Sequence, residues 1–212
     1  MTQAIDFQTF VRRRLGADLS TLPLSAALSR LPPLGPAGPW LAGGALRRTI
    51  SGQRLDSDYD FFFAGEEQFE QFCIDMKKSG GWISSSNQHC STFCLPSTAP
   101  DQGKEGILPE LKVQAIKTRW FDSAEHVIDS FDYTICQFAF DGSKLVCGEL
   151  SLWDLARKRL APHKISYAVA SLRRLMKYAN QGFHVCPGAL SELLQQVIDN
   201  PEIVRAETAY ID

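Results

Sequence analysis

No stretch of the 212-residue sequence approaches the roughly 18 consecutive apolar residues that cross a bilayer. The first residues, MTQAIDFQTFVRRRLG, lack the apolar stretch of a secretion signal. A cytoplasmic protein without a membrane partner is therefore expected. Charge of one sign is also missing. With 22 Lys and Arg against 24 Asp and Glu, the formal charge is −2, which excludes a general nucleic-acid coating role but not a local basic surface. The six cysteines lack the dense, regular spacing of a secreted disulfide scaffold, so reduced and largely buried thiols are expected. His89-Cys90-x3-Cys94 has no partner pair of the kind zinc sites use and reads as ordinary strand and loop residues. His126, His163 and His184 are isolated, with no Ser or Cys in nucleophile context, which leaves no hydrolase triad. No internal repeat is visible. What is present is aromatic: 13 Phe, 5 Tyr and 4 Trp in a chain that is 44% hydrophobic can bury a sizeable core, and this excludes disorder, collagen and coiled coil for the whole chain.

Apolar spacing predicts an amphipathic helix over 6–15, with the three arginines Arg12 to Arg14 on its solvated face. Five prolines between 20 and 40 predict an irregular connecting arm. From 40 onward the sequence reads as a strand end, a Gly-Gly turn, a short helix (45–51), a loop opened by Gly52, a strand (59–63) and a helix (66–79) with Phe69, Phe72, Cys73 and Met76 on one face. Strands are predicted over 81–85, 91–95 and 112–118, with a mobile loop over 96–109. A helix (123–130) and a hairpin turning at Asp141-Gly142 follow, its strands over 132–140 and 144–148. Beyond 150 the pattern becomes helical over 151–159, 166–180 and 188–198. Trp120, Trp153 and Phe183 read as core rather than as base-stacking platforms. The architecture predicted is a mixed α/β sheet followed by a small helical part.

One constellation carries chemistry. Residues two apart on a strand share a side, so Asp58 and Asp60 of S-D-Y-D-F present two carboxylates together while Tyr59 and Phe61 face the core. Paired carboxylates suit a hard divalent cation that keeps waters and takes substrate phosphates. Upstream, Gly43 and Gly44 open a short helix. Glycines allow close approach of backbone to a ligand, and a helix start offers free N–H groups to phosphate.

Gly-Gly, a helix and then D-x-D on a strand resembles the signature of the nucleotidyltransferase superfamily that includes DNA polymerase beta. More closely, G-G-A-L-R-R-T-I-S-G-x5-D-x-D (43–60) resembles the G-G-x-V-R-D-x-L-L-G-x4-D-x-D motif of bacterial poly(A) polymerases and class II CCA-adding tRNA nucleotidyltransferases. F-D-Y-T-I-C-Q-F-A-F-D-G (131–142) resembles the family's R-R-D-F-T-I-N-A-L-A-Y-D, and L-W-D-L-A-R-K-R-L (152–160) its D-L-x-x-x-x-L segment. S-L-R-R-L-M-K-Y-A-N-Q-G-F (171–183) resembles its R-L-L-R-A-x-R-F-A-x-R-L-G-F helix. The resemblance implies an α+β fold: an N-terminal helix and arm (1–39), a polymerase-beta-type nucleotidyltransferase mixed sheet (40–150) and a small C-terminal helical, neck-like domain (151–212). It also implies Mg2+ or Mn2+ held by Asp58, Asp60 and Asp132 as catalytic, metal-binding carboxylates. An NTP such as ATP would be contacted by Gly43, Gly44 and Arg47. Three departures stand in the chain: Ser130 and Phe131 replace the arginine pair, and Arg48 replaces an acid.

Helical spacing over 166–180 puts Ala168, Leu172, Leu175 and Ala179 on a buried face, with Arg173 and Lys177 one turn apart outside. Between 154 and 177 seven basic residues face one acid, Asp154. That surface is either a solvated helix face or, as the resemblance implies, the positive wall of the nucleotide cleft, with Arg173 and Lys177 as NTP contacts. The implied activity is transfer of a nucleoside monophosphate from an NTP to an acceptor: tRNA or another RNA, a protein, or a small molecule. The alternative is a nucleotide-binding or adaptor protein that has the fold without turnover.

Overall fold

In the computed structural model, which describes residues 2–98 and 108–205, eight strands form one mixed sheet. In chain order they are β1 (Gln3–Asp6), β2 (Trp40–Ala42), β3 (Tyr59–Phe62), β4 (Trp82–Ser86), β5 (Cys90–Leu95), β6 (Leu111–Ile116), β7 (Phe138–Phe140) and β8 (Lys144–Cys147). Their order across the sheet is β1-β8-β7-β2-β3-β6-β5-β4. Only β3 and β6 pair in parallel among adjacent strands; their crossover runs through a helix and two strands at the sheet edge. The loop expected over 96–109 lies largely outside the described residues, which resume at 108.

Alternation along the central strands separates two apolar layers. On one face Leu41, Phe61, Phe93, Val113 and Phe138 pack with helices α1 (Phe7–Leu15), α2 (Pro23–Leu28), α3 (Gly44–Ile50) and α4 (Glu66–Lys78) through Phe7, Leu24, Leu46 and Met76. On the other, Trp40, Phe62, Ile116, Ala139 and Val146 meet α5 (Ala124–Asp129) through Val127 and Ile128. This second layer does not extend over the D-x-D end of β3, and that gap is where the site lies.

Local chemistry explains the element ends. Asp6 caps α1 by accepting from the Thr9 backbone N–H at 2.7 Å, and Gly16 closes it in the left-handed conformation. The Ser123 hydroxyl caps α5 through the His126 N–H. The arm over 20–40 is more than a connector. Pro23 stands in the first turn of α2, where its missing N–H costs nothing, and Leu24, Ala27 and Leu31 are buried in the main core. The N-terminal segment likewise adds β1 to the sheet edge beside β8.

The strand expected over 132–140 is shorter. A 3-10 turn (Thr134–Cys136) precedes β7, because Thr134 Oγ1 donates to the fully buried Asp154 carboxylate at 2.6 Å and Cys136 Sγ donates to the Tyr178 hydroxyl at 3.1 Å. These bonds turn side chains toward the helical part instead of alternating them across the sheet. Asp132 therefore precedes a turn rather than heading a strand.

Helices α6 (Ser151–Ala156), α7 (Ala168–Asn180), α8 (Pro187–Asp199) and α9 (Glu202–Arg205) complete the described chain. The buried face of α7 is rotated from the one expected: Ala168, Ser171 and Tyr178 are buried, whereas Leu172 is 45% exposed and Ala179 is exposed. The polar Ser171 and Arg174 turn inward because a buried carboxylate awaits them there. Phe183 is core, as expected, but Trp120 and Trp153 are exposed, with the Arg157 guanidinium stacked 4.0 Å from the Trp153 ring centre. Among the described residues no helix is long and apolar enough to cross a membrane.

Candidate active site

Three elements converge at the site. β2 ends at Ala42, directly across from Asp60 on β3. The chain then turns at Gly43, with φ of 83°, a left-handed conformation that a side chain would strain. A Cβ on Gly43 would also stand 3.4 Å from Asp60 Oδ2 and 3.7 Å from the Phe131 ring. At those distances a Cβ would make ordinary contacts, so it is the positive φ that favours glycine here. Gly44 begins α3, and the following loop folds back over it, so that a Cβ on Gly44 would lie 3.6 Å from Ser57 Oγ. Arg48, in the place of the family's acid, ties this loop down through Asp56 at 2.7 Å.

Asp58 and Asp60 share a face, as the spacing predicts. Asp60 is the register partner of Gln114 on β6, and the Gln114 side-chain amide donates to Asp58 Oδ2 at 2.7 Å. Lys112 Nζ lies 3.0 Å from the same oxygen. The face continues to Cys90, whose thiol is pushed up to about 11, first by burial and then with the Asp60 and Asp58 carboxylates adding to it. The sequence reading missed Gln114 and Lys112. The available signal was a lone amide in the otherwise apolar run V-Q-A-I, on the strand that pairs with D-x-D.

Asp132 lies elsewhere in the hydrogen-bond network. It is 7% exposed, and its Oδ2 accepts from the Ser171 hydroxyl at 2.9 Å and from Arg174 Nη1 at 2.7 Å, both on α7. Burial works against the Arg174 charge, but Asp132 outweighs it and holds the guanidinium pKa above its usual value. Arg47, 4% exposed, points at the helical part. Its guanidinium lies 4.7 Å from the Tyr178 ring centre and 5.4 Å from that of Phe183, and its Nη2 donates to Gln181 at 3.0 Å. Its Nε and Nη1 are buried without a hydrogen-bond partner.

The basic run over 154–177 is not one open wall. Arg159 bonds Asp154 at 2.6 Å, Lys164 pairs with Asp129 at 3.1 Å, and Arg174 is engaged by Asp132. Arg173 and Lys177 are exposed on α7.

As a donor set, Asp58 and Asp60 could hold one hard cation: two carboxylates on one face, beside a glycine turn. The third carboxylate does not join them. Among the described residues no group of three His, Cys, Asp or Glu side chains is placed to share a metal ion.

This sheet, with D-x-D beside a glycine turn and a helical part after it, has the fold of solved CCA-adding enzymes. It matches the solved complex of a CCA-adding enzyme with CTP at a TM-score of 0.63 and 17% identity, covering 96% of this chain and 48% of that one. It matches the Thermotoga maritima CCA-adding enzyme complexed with tRNA at 0.62 and 19% identity, covering 94% and 47%. Within that fold, the chain belongs to the Gabija anti-defense 2 family, whose model matches residues 33–158. A curated relative, Gabija anti-defense 2 of Bacillus phage SPbetaL7, is 26% identical over 148 residues. The chain spans about half the length of the solved structures it matches, and the match to the phage relative covers 34% of that protein.

Proposed function

We propose that this protein transfers a nucleoside monophosphate from an NTP to an acceptor and releases pyrophosphate. The observation that carries the reading is the Asp58/Asp60 face abutting the Gly43 turn, where a Cβ would meet Asp60 Oδ2 at 3.4 Å. Asp58 and Asp60 would hold Mg2+ or Mn2+, which when bound neutralises phosphate charge during an in-line displacement at phosphorus. Gly43 and Gly44 present backbone to the triphosphate, and Arg173 and Lys177, exposed one turn apart on α7, supply positive charge to it. Asp132 acts through α7 by anchoring Arg174, and Arg47 acts in the same way by packing against Tyr178 and Phe183. Both positioning roles replace direct contact with metal or nucleotide.

From the family to which the chain belongs, we read the acceptor as a component of the Gabija defence that the family name refers to, or a nucleic acid on which that defence depends. A second reading, a nucleotide-binding adaptor without turnover, is favoured by one observation. Asp58 and Asp132 each already have a basic partner within the chain, Lys112 and Arg174. Incubating the protein with each α-labelled NTP, Mg2+ or Mn2+, and either purified Gabija proteins or total RNA separates the two readings. Label on one macromolecule supports transfer. NTP binding without label on any supports the adaptor.

A further inference from the structure

Alternate residues of β6 point the same way, so Lys112 and Gln114 both stand on the face that carries Asp60. Both reach one atom, Asp58 Oδ2: the Gln114 amide at 2.7 Å and the Lys112 ammonium at 3.0 Å. Their freedom differs. Gln114 is 5% exposed and fixed between β3 and β5, whereas the Lys112 side chain is 50% exposed on a flexible stem that can withdraw into water. A divalent cation at Asp58 would compete with the ammonium for the same oxygen and be repelled by its charge. Next to Asp60, the place where a third carboxylate would complete an acidic cluster is held by the amide of Gln114, which donates a hydrogen bond where a carboxylate would offer an oxygen.

We infer that Lys112 is a resident counter-ion of Asp58 that must leave before a divalent cation can be held by Asp58 and Asp60. Gln114 is the residue that keeps this site at two carboxylates. Lys112 and Gln114 are thus determinants of metal affinity. The inference rests on the metal site proposed above but makes a separate claim about what limits it.

The test is titration of the whole chain with Mn2+ alone, following free Mn2+ by electron paramagnetic resonance. Lys112→Met should bind Mn2+ about 2- to 5-fold more tightly than wild type, the scale expected when an exposed ion pair stops competing. Lys112→Arg, which preserves the charge, should behave as wild type. Gln114→Glu should tighten binding further, and adding Asp58→Asn to Lys112→Met should abolish the gain. If Lys112→Met binds no more tightly than wild type while Asp58→Asn and Asp60→Asn both lose Mn2+, the metal site stands and the Lys112 role is overturned. If no protein in the series binds Mn2+, both fall. Lys112 is a surface side chain, so this arm remains decisive even if Gln114→Glu fails to fold.

Discussion

Asp132 and Arg174, 42 residues apart in the chain, meet at 2.7 Å and join the turn before β7 to the middle of α7. The carboxylate is 7% exposed and the Arg174 side chain 28%, so neither charge is left to water alone. Removing one member of such a pair strands the other, at a cost of about 3 to 5 kcal/mol when burial is complete and less at this depth.

Arg174→Met and Asp132→Asn should therefore both lower the melting temperature, by amounts corresponding to about 2 to 3 kcal/mol. The double variant should lose less than the sum. Neither should change Mn2+ affinity. Weakened metal binding in Asp132→Asn at unchanged stability would return Asp132 to the metal site.

Thiol reactivity reports the packing. Burial pushes the Cys136 thiol up to about 11 and the Cys147 thiol up to about 12, and Cys90 also stands near 11. At pH 8 these groups remain protonated and buried, hence poor nucleophiles. Alkylation followed by peptide mapping should label the exposed Cys186 first and leave Cys90, Cys136 and Cys147 intact until the protein unfolds. Equal labelling of Cys136 and Cys186 in the native state would contradict this core.

Arg173 tests the positive charge proposed for the triphosphate. A charge-assisted phosphate contact contributes about 1.5 to 3 kcal/mol, so Arg173→Ala should weaken affinity for a non-hydrolysable NTP about 10-fold or more. Arg12, exposed on α1 and paired with Asp18 at 3.2 Å, should be indifferent to replacement by Ala. Isothermal titration of the two variants decides it, equal affinities making α7 an ordinary solvated surface.

The sheet and the D-x-D face were legible because strand alternation and glycine turns are local rules: Asp58, Asp60 and Gly43 needed only their neighbours in sequence. What was not legible came from contacts across long stretches of chain. The periodicity of α7 alone favours burying Leu172, yet the helix is rotated so that Ser171 and Arg174 reach Asp132. A single buried charge outweighs a leucine on an amphipathic surface, because leaving it unpaired costs more than exposing one apolar side chain. The same holds for 132–140, where bonds from Thr134 and Cys136 to the helical part replace three residues of an apparent strand with a turn. The pairing of Lys112 with Asp58 depended on knowing that β6 lies parallel to β3, which no local signal in either segment specifies.

The proposed nucleotidyl transfer by this protein requires both Asp58 and Asp60. Wild type, Asp58→Ala and Asp60→Ala should be compared in one assay of α-labelled NTP transfer with Mg2+ or Mn2+, alongside their thermal melts. Neither carboxylate fills the core, so the variants should melt as wild type does. Label should move to an acceptor with wild type and not with either variant. Transfer that survives in both variants at normal stability would contradict the assignment.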